Sequence, residues 1–314
     1  MNMTFVQLEY LVALDTYRHF ATAAENCFVT QPTLSMQIQK LEDELGVKLF
    51  DRSKQPVVPT EIGEAVIRQA RVLLREALKT REIVDEHRGI VAGEIRIGII
   101  PTLAPYLLPL FLANFIQKYP HVKVKIKELT TENLLAKLNK DLIDVGIVAT
   151  PLHDERVFEE PLFYEEFVAY VSENEIAYQK EFLLSEDIDL SRLWLLEEGH
   201  CFRGQILNIC ELRKQNPVNR NFEYESGSIE TLKRMVESYG GVTILPELSL
   251  TDLSETQLQQ VRQFHNPKPI REVSLVTLRH HLRRGPIEAM KAEILAVIPE
   301  KMKQPHQRKL VELG

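Results

Sequence analysis

The sequence predicts an α/β protein in three parts: an N-terminal winged helix-turn-helix, a long linker helix, and a C-terminal domain of two α/β subdomains. Three observations carry this. Residues 1–60 show short amphipathic helices broken by a tight turn, residues 60–89 run helical without a proline, and strand and helix patterns alternate from Glu94 onward. A chain of 314 residues has room for two or three domains, and 44% apolar with 26% charged residues fits well-packed globular cores.

In the first helix Phe5, Leu8, Leu11, Val12 and Leu14 recur at helical spacing. A second helix over 21–27 stops at Val29-Thr30-Gln31-Pro32. The third, 32–45, has Pro32 in its first turn, where a missing N–H costs little. It turns Leu34, Ile38, Leu41 and Leu45 inward and ends at Gly46. Two helices joined by a tight turn, the second with a polar outer face, make the helix-turn-helix pattern. A helix fits the major groove of DNA, and Gln, Thr and Ser bond base edges or phosphates. Gln31, Pro32, Thr33, Ser35 and Gln37 are therefore the candidate DNA contacts. Residues 47–52 and 56–60 read as a β-wing, with Arg52 over phosphates or in the minor groove. The alternative is a three-helix packing module with a solvated face. Residues 1–89 hold 11 Lys+Arg against 13 Asp+Glu, so a basic surface must come from placement rather than excess.

Residues 61–89 read as a linker helix with a seam of Ile62, Ala65, Val66, Gln69, Val72, Leu73, Glu76 and Leu78. At 1.5 Å per residue it is about 42 Å long. So long and one-sided a helix suits pairing with a second copy; packing on its own domain is the alternative.

The C-terminal domain is expected over 90–300. Strands read at 94–100, 122–129 and 144–148, with helices at 106–118 and 132–139 between them. This βαβαβ order implies a parallel sheet with covered faces. Further strands read at 167–171, 194–196, 221–224, 241–245 and 273–278, and helices at 204–212, 228–239 and 286–298. The chain then passes out and back between two subdomains, 94–165 with 270–300, and 166–269. Such folds bind ligands beyond the C-terminal ends of strands. The charged tail, 301–314, is expected to be disordered.

No apolar run approaches the roughly 18 residues that span a bilayer. The N-terminus lacks a secretory layout, and three cysteines make no disulfide framework. A cytoplasmic protein without a membrane partner is expected, in which any disulfide is transient. A net charge of −7 excludes a blanket nucleic-acid coat but not a local docking surface.

The chemistry concentrates in residues 198–210, Glu-Gly-His-Cys-Phe-Arg-Gly-Gln-Ile-Leu-Asn-Ile-Cys. Cys201 is flanked by His200 and Arg203, and a neighbouring cation favours the reactive thiolate. Cys210 follows nine positions later. By themselves two such cysteines are compatible with packing, metal binding or redox chemistry. Metal binding is disfavoured, since His200, Cys201 and Cys210 lack the paired spacing of a zinc site, and no metal or cofactor is expected.

Phe20-Ala21-Thr22-Ala23-Ala24-Glu25, Val29-Thr30-Gln31-Pro32-Thr33-Leu34-Ser35 and the run from Leu41-Glu42-Asp43-Glu44-Leu45-Gly46 to Asp51-Arg52 resemble the DNA-binding domain of LysR-type transcriptional regulators. Residues 98–109, beginning Gly-Ile-Ile-Pro-Thr, and the Gly-His-Cys-Phe-Arg stretch with Cys210 are similar to the hydrogen-peroxide-sensing members of that family. The resemblance implies a periplasmic-binding-protein-like regulatory domain, a linker-helix dimer and a homotetramer. It implies that Cys201 is the peroxidatic cysteine and Cys210 the resolving one. Thr102, Thr131, His200, Arg203 and Arg271 are then the peroxide pocket, Arg271 lying just before a late strand. Some such proteins place a histidine shortly before the motif at 228–232; here Phe222-Glu223-Tyr224-Glu225 stands instead, and no pocket role is given to it. The partners implied are operator DNA, hydrogen peroxide, further copies of the chain, RNA polymerase and a thiol reductant of the glutaredoxin or thioredoxin type. The function implied is activation of oxidative-stress defence genes.

A helix between the two cysteines adds a constraint. Nine residues at 1.5 Å rise hold their Cα atoms roughly 13 Å apart, whereas a disulfide needs about 7 Å or less. Oxidation must therefore unwind or move the segment. A regulator that binds a small organic effector between the subdomains, and a thiol peroxidase enzyme, are the competing readings.

Overall fold

The computed structural model describes residues 3–87, 90–196, 201–209, 227–278, 284–304 and 309–311. They form two compact units, one within Met1–Ile90 and one beginning at Val91. No helix among the described residues is long and apolar enough to cross a membrane.

The first unit is helical with a small wing. Helix α1 (Phe5–Tyr17) starts at a capping box between Thr4 and Gln7. Helices α2 (Phe20–Asn26) and α3 (Gln31–Leu45) follow, and Gly46 closes α3 in the left-handed conformation (φ 70°). Leu8, Leu11 and Leu14 pack on Leu34, Ile38 and Leu41, the stripes that the spacing predicts. Strands β1 (Phe50–Asp51) and β2 (Val58–Pro59) pair antiparallel as the wing. Helix α4 (Glu61–His87) carries two stripes. Ile67, Ala70 and Arg71 are buried, with Arg71 bonded to Asp15 of α1 at 2.8 Å. Ile62, Ala65 and Gln69, members of the predicted seam, are exposed in the single chain. The helix thus packs on its own unit with one face and leaves the other open.

The second unit is built on a mixed sheet. Strands β3 (Gly93–Ile99), β4 (Val122–Glu128) and β5 (Val145–Thr150) are parallel, in the order β4-β3-β5. Helix α5 (Ala104–Lys118) joins β3 to β4, and α6 (Thr131–Asn139) joins β4 to β5. Gly98 and Gly146 let α6 approach: a Cβ at either would stand within 3.0 Å of the Leu134 side chain. The long strand β6 (Val157–Val171) begins ten residues before the predicted 167. Pro161 and four glutamates hid its first half, and Pro161 sits beside the bulge between Val273 and Ser274.

Short strands β7 (Phe182–Leu183) and β8 (Leu193–Trp194) lead to helix α7 (Cys201–Ile209). Helix α8 (Ile229–Tyr239), strand β9 (Val242–Pro246), the turn of helix α9 (Glu255–Leu258) and strand β10 (Val261–Phe264) follow. Strand β11 (Pro269–Leu278) runs antiparallel between β5 and β6, which corrects the expectation of a purely parallel sheet. Strand β6 pairs with β11 up to Glu166 and with β9 from Phe167. Helix α10 (Arg284–Val297) closes the sheet face. The tail is not wholly free, as the sequence had implied: β12 (Lys309–Leu310) adds parallel to β11, and Val311 is buried. The strand predicted at 221–224 lies outside the described residues.

Candidate functional site

Neighbouring strands β3 and β4 end side by side, Ile99 opposite Glu128. The chain leaving β3 delivers Thr102 just before α5, and the chain leaving β4 delivers Thr131 as the first residue of α6. Both threonines are buried. They sit where parallel strands open onto helix N-termini, the usual ligand position in such folds.

Arg271 reaches the first of them from β11. It lies inside that strand rather than before it, because β11 starts four residues earlier than the sequence indicates. Its guanidinium is fully buried; Nη1 donates to the Thr102 hydroxyl at 3.0 Å and Nη2 to the Thr102 carbonyl at 3.2 Å. Nε donates to Glu165 of β6 at 2.7 Å. The same carboxylate accepts from the Leu248 amide at 3.2 Å. Burial pushes the Glu165 carboxyl up, opposed by the adjacent Arg271 charge. The remaining face of the guanidinium lies over the Phe202 ring, 5.1 Å from its centroid. Phe202 in turn packs on Phe167, with ring centroids 5.5 Å apart. The cluster therefore joins β3, β6 and β11 to the first turn of α7.

Helix α7 starts at Cys201, three residues before the predicted start at Gly204. Glycine reads as a helix boundary in sequence, but here it occupies the fourth helical position. Cys201 is thus the first residue of the helix, where unpaired backbone amides and the macrodipole favour an anion. Arg203 is half-buried and donates to the Leu196 carbonyl at 2.8 Å, tying α7 to the chain after β8. His200, Cys210 and the side chain of Cys201 lie outside the described residues.

Further along α7, Gln205 is buried and donates to the Val311 carbonyl at 3.1 Å, while its Oε1 has no partner among the described residues. Asn208 and Ile209, in the last turn, border a cavity of about 510 Å³ with Leu183, Phe264, Leu310 and Val311. Among the described residues, the C-terminal end of α7 therefore borders this cavity. Tyr106 of α5 donates to Glu230 of α8 at 2.6 Å. Lys233, also buried, pairs with Glu230 at 2.7 Å. Burial, and then Glu230, raise the Tyr106 phenol above the ordinary range. Glu165 lies in no sequence motif, and Phe202 and Tyr106 stand inside motifs without a role of their own there; only their placement beside Arg271 or across α5 and α8 brings them forward.

The first unit presents α3. Gln31 and Pro32 are exposed, and Thr33, Ser35 and Gln37 are half-exposed. The Thr33 hydroxyl lies 2.8 Å from that of Thr30, the residue capping the helix. Met36, 62% exposed, stands opposite the Leu34-Ile38-Leu41 stripe and had no part in the sequence reading. Phe28, in the turn before α3, is 96% exposed. Arg52 differs from the free wing cation that the sequence implies. It donates to Glu42 at 3.2 Å and its guanidinium lies 5.3 Å from the Phe20 ring centroid. Glu42 is buried and also accepts from Lys48 and from the Leu49 and Phe50 amides. One carboxylate thus fastens the wing to the end of α3.

Comparison with known proteins agrees with both units. Residues 5–64 match the model of the bacterial regulatory helix-turn-helix protein, LysR family, and residues 88–298 the LysR substrate binding domain. The chain is 36% identical to a hydrogen peroxide-inducible genes activator of Haemophilus influenzae, over 87% of this chain and 90% of that one. It is 36% identical to the DNA-binding transcriptional dual regulator OxyR of Escherichia coli, over 87% and 89%. Among solved structures, a full-length OxyR variant from Pseudomonas aeruginosa superposes with a TM-score of 0.78 at 34% identity, covering 95% of this chain and 99% of that one.

Proposed function

Because the chain belongs to the LysR family of bacterial transcriptional regulators, we propose that it senses hydrogen peroxide by reversible Cys201–Cys210 disulfide formation and so activates oxidative-stress defence genes. It is an OxyR-like regulator rather than an enzyme. The observation that carries the sensing reading is the buried Arg271–Thr102 pair over Phe202, the neighbour of Cys201.

Cys201 at the start of α7 is the attacking thiolate. Thr102 and Thr131, with Arg203, Arg271 and His200, form the pocket that orients peroxide. Cys210 condenses with the resulting sulfenic acid and releases water. The described helix keeps its two ends about 12 Å apart at 1.5 Å per residue. Disulfide formation therefore unwinds α7, and the cavity beside Ile209 gives the released segment room. Loss of α7 removes the Gln205–Val311 and Arg203–Leu196 bonds and alters the surface offered to a second copy.

Gln31, Pro32, Thr33, Ser35 and Gln37 contact operator DNA, and Arg52 holds the wing over its backbone. The open seam of α4 pairs with that of another copy, and two dimers form the tetramer. RNA polymerase and a glutaredoxin- or thioredoxin-type reductant complete the cycle in the cytoplasm. Replacement of Cys201 by serine tests the reading: it abolishes peroxide-dependent transcription while DNA binding persists. An intact response in that variant overturns it in favour of a small organic effector.

A further inference from the structure

We propose that Glu165 is a positioning residue for peroxide reduction at Cys201: by fixing the Arg271 guanidinium it keeps the Thr102 hydroxyl an acceptor to Arg271 and hence a donor to peroxide. This rests on the sensing reading and deepens it.

A guanidinium only donates, whereas a hydroxyl has one proton and two acceptor sites. In the 3.0 Å bond between Arg271 and Thr102 the threonine oxygen must therefore accept. Its own proton points elsewhere and has no acceptor among the described residues. The second Arg271 bond, to the Thr102 carbonyl, fixes the main chain of the same residue. Arg271 can hold this pose because Glu165 grips Nε and Nη2, at 2.7 and 2.6 Å. Glu165 is held in turn by the Leu248 amide. Both charged side chains are fully buried, so neither reaches bulk solvent. Without the carboxylate the guanidinium is free to turn, and the directed proton of Thr102 is lost.

The step balances as follows. The Cys201 thiolate attacks one oxygen of hydrogen peroxide; an S–O bond forms and the O–O bond breaks. Sulfur is oxidised to the sulfenic acid and peroxide is reduced. The leaving oxygen departs as hydroxide, stabilised by the Thr102 O–H, and takes a proton from solvent to become water.

The test compares two reactions of Cys201 in the reduced full-length protein. Peroxide requires a donor for its leaving oxygen; alkylation by iodoacetamide requires only the thiolate. Glu165→Gln lowers the peroxide rate constant at least about tenfold, measured at a pH where Cys201 is fully ionised. Alkylation stays within about threefold of wild type, because the uncompensated Arg271 charge favours the thiolate. A parallel fall in both rates, or no fall in the peroxide rate, overturns the proposal. Glu165→Asp keeps the charge on a shorter arm and covers the case in which the glutamine variant does not fold. A selective fall of its peroxide rate supports the proposal; an unchanged ratio of the two rates overturns it. If the wild-type protein shows no peroxide reaction at Cys201, the sensing reading itself fails, which separates the two claims.

Discussion

Arg271 and Thr102, 169 residues apart in sequence, are joined twice, through the threonine hydroxyl and its carbonyl. A side-chain bond alone could be replaced by many residues, whereas the double bond ties the loop after β3 to β11. Thr102→Val keeps the shape and the carbonyl contact but removes the hydroxyl. It is expected to slow Cys201 oxidation by about tenfold or more in stopped-flow measurements, with the affinity of the reduced protein for DNA unchanged. Thr102→Ser retains most of the rate.

Under the proposed Cys201–Cys210 disulfide, helix α7 must come apart. Amide hydrogen exchange over Cys201–Ile209 is expected to show protection in the reduced protein and its loss after peroxide. Protection that survives in disulfide-bonded protein would show that the helix boundary, not the helix, moves.

Glu42 is bonded to Lys48, Arg52 and two wing amides. Glu42→Ala leaves those amides and cations without their buried partner and destabilises the first unit by about 3 kcal/mol, read as a lower melting temperature. Arg52→Ala weakens binding across all DNA sequences and lowers the salt slope by about one unit. A sequence-selective loss in that variant would contradict the wing assignment. Gln31→Ala, by contrast, costs about 1 to 3 kcal/mol of discrimination at one base position.

Cys27 serves as an internal reference. Burial first, and then Glu9, push its thiol up. A raised thiol leaves less thiolate at neutral pH, so Cys27 is expected to react with peroxide and iodoacetamide far more slowly than Cys201. Raising the pH through the ordinary thiol range narrows the gap. Equal rates at neutral pH would remove the case for selective activation of Cys201.

How much of this was legible in sequence follows the range of the interactions. Helix α3 and its stripe of Leu34, Ile38 and Leu41 were legible because periodicity, Pro32 and Gly46 are local signals. The start of α7 was misplaced because Gly204 reads as a boundary, although the helix tolerates it. The first half of β6 was hidden by Pro161, which the bulge accommodates. Glu165 could not be found at all: its bond to Arg271 spans 106 residues, and no spacing rule links them. Arg52 was found, but its capture by Glu42 was not, since charge pairing ten residues away across a turn leaves no pattern. The candidate site was thus readable as cysteines, motif threonines and their cationic neighbours, while Glu165 and Phe202, which hold Arg271, were not.

The most direct measurement is mass-spectrometric mapping of cysteines in the full-length protein before and after stoichiometric hydrogen peroxide. The account predicts three free thiols in reduced protein and, after peroxide, an intrachain Cys201–Cys210 disulfide with Cys27 still a thiol. A Cys201 that stays reduced, or that bonds to any cysteine other than Cys210, would contradict it.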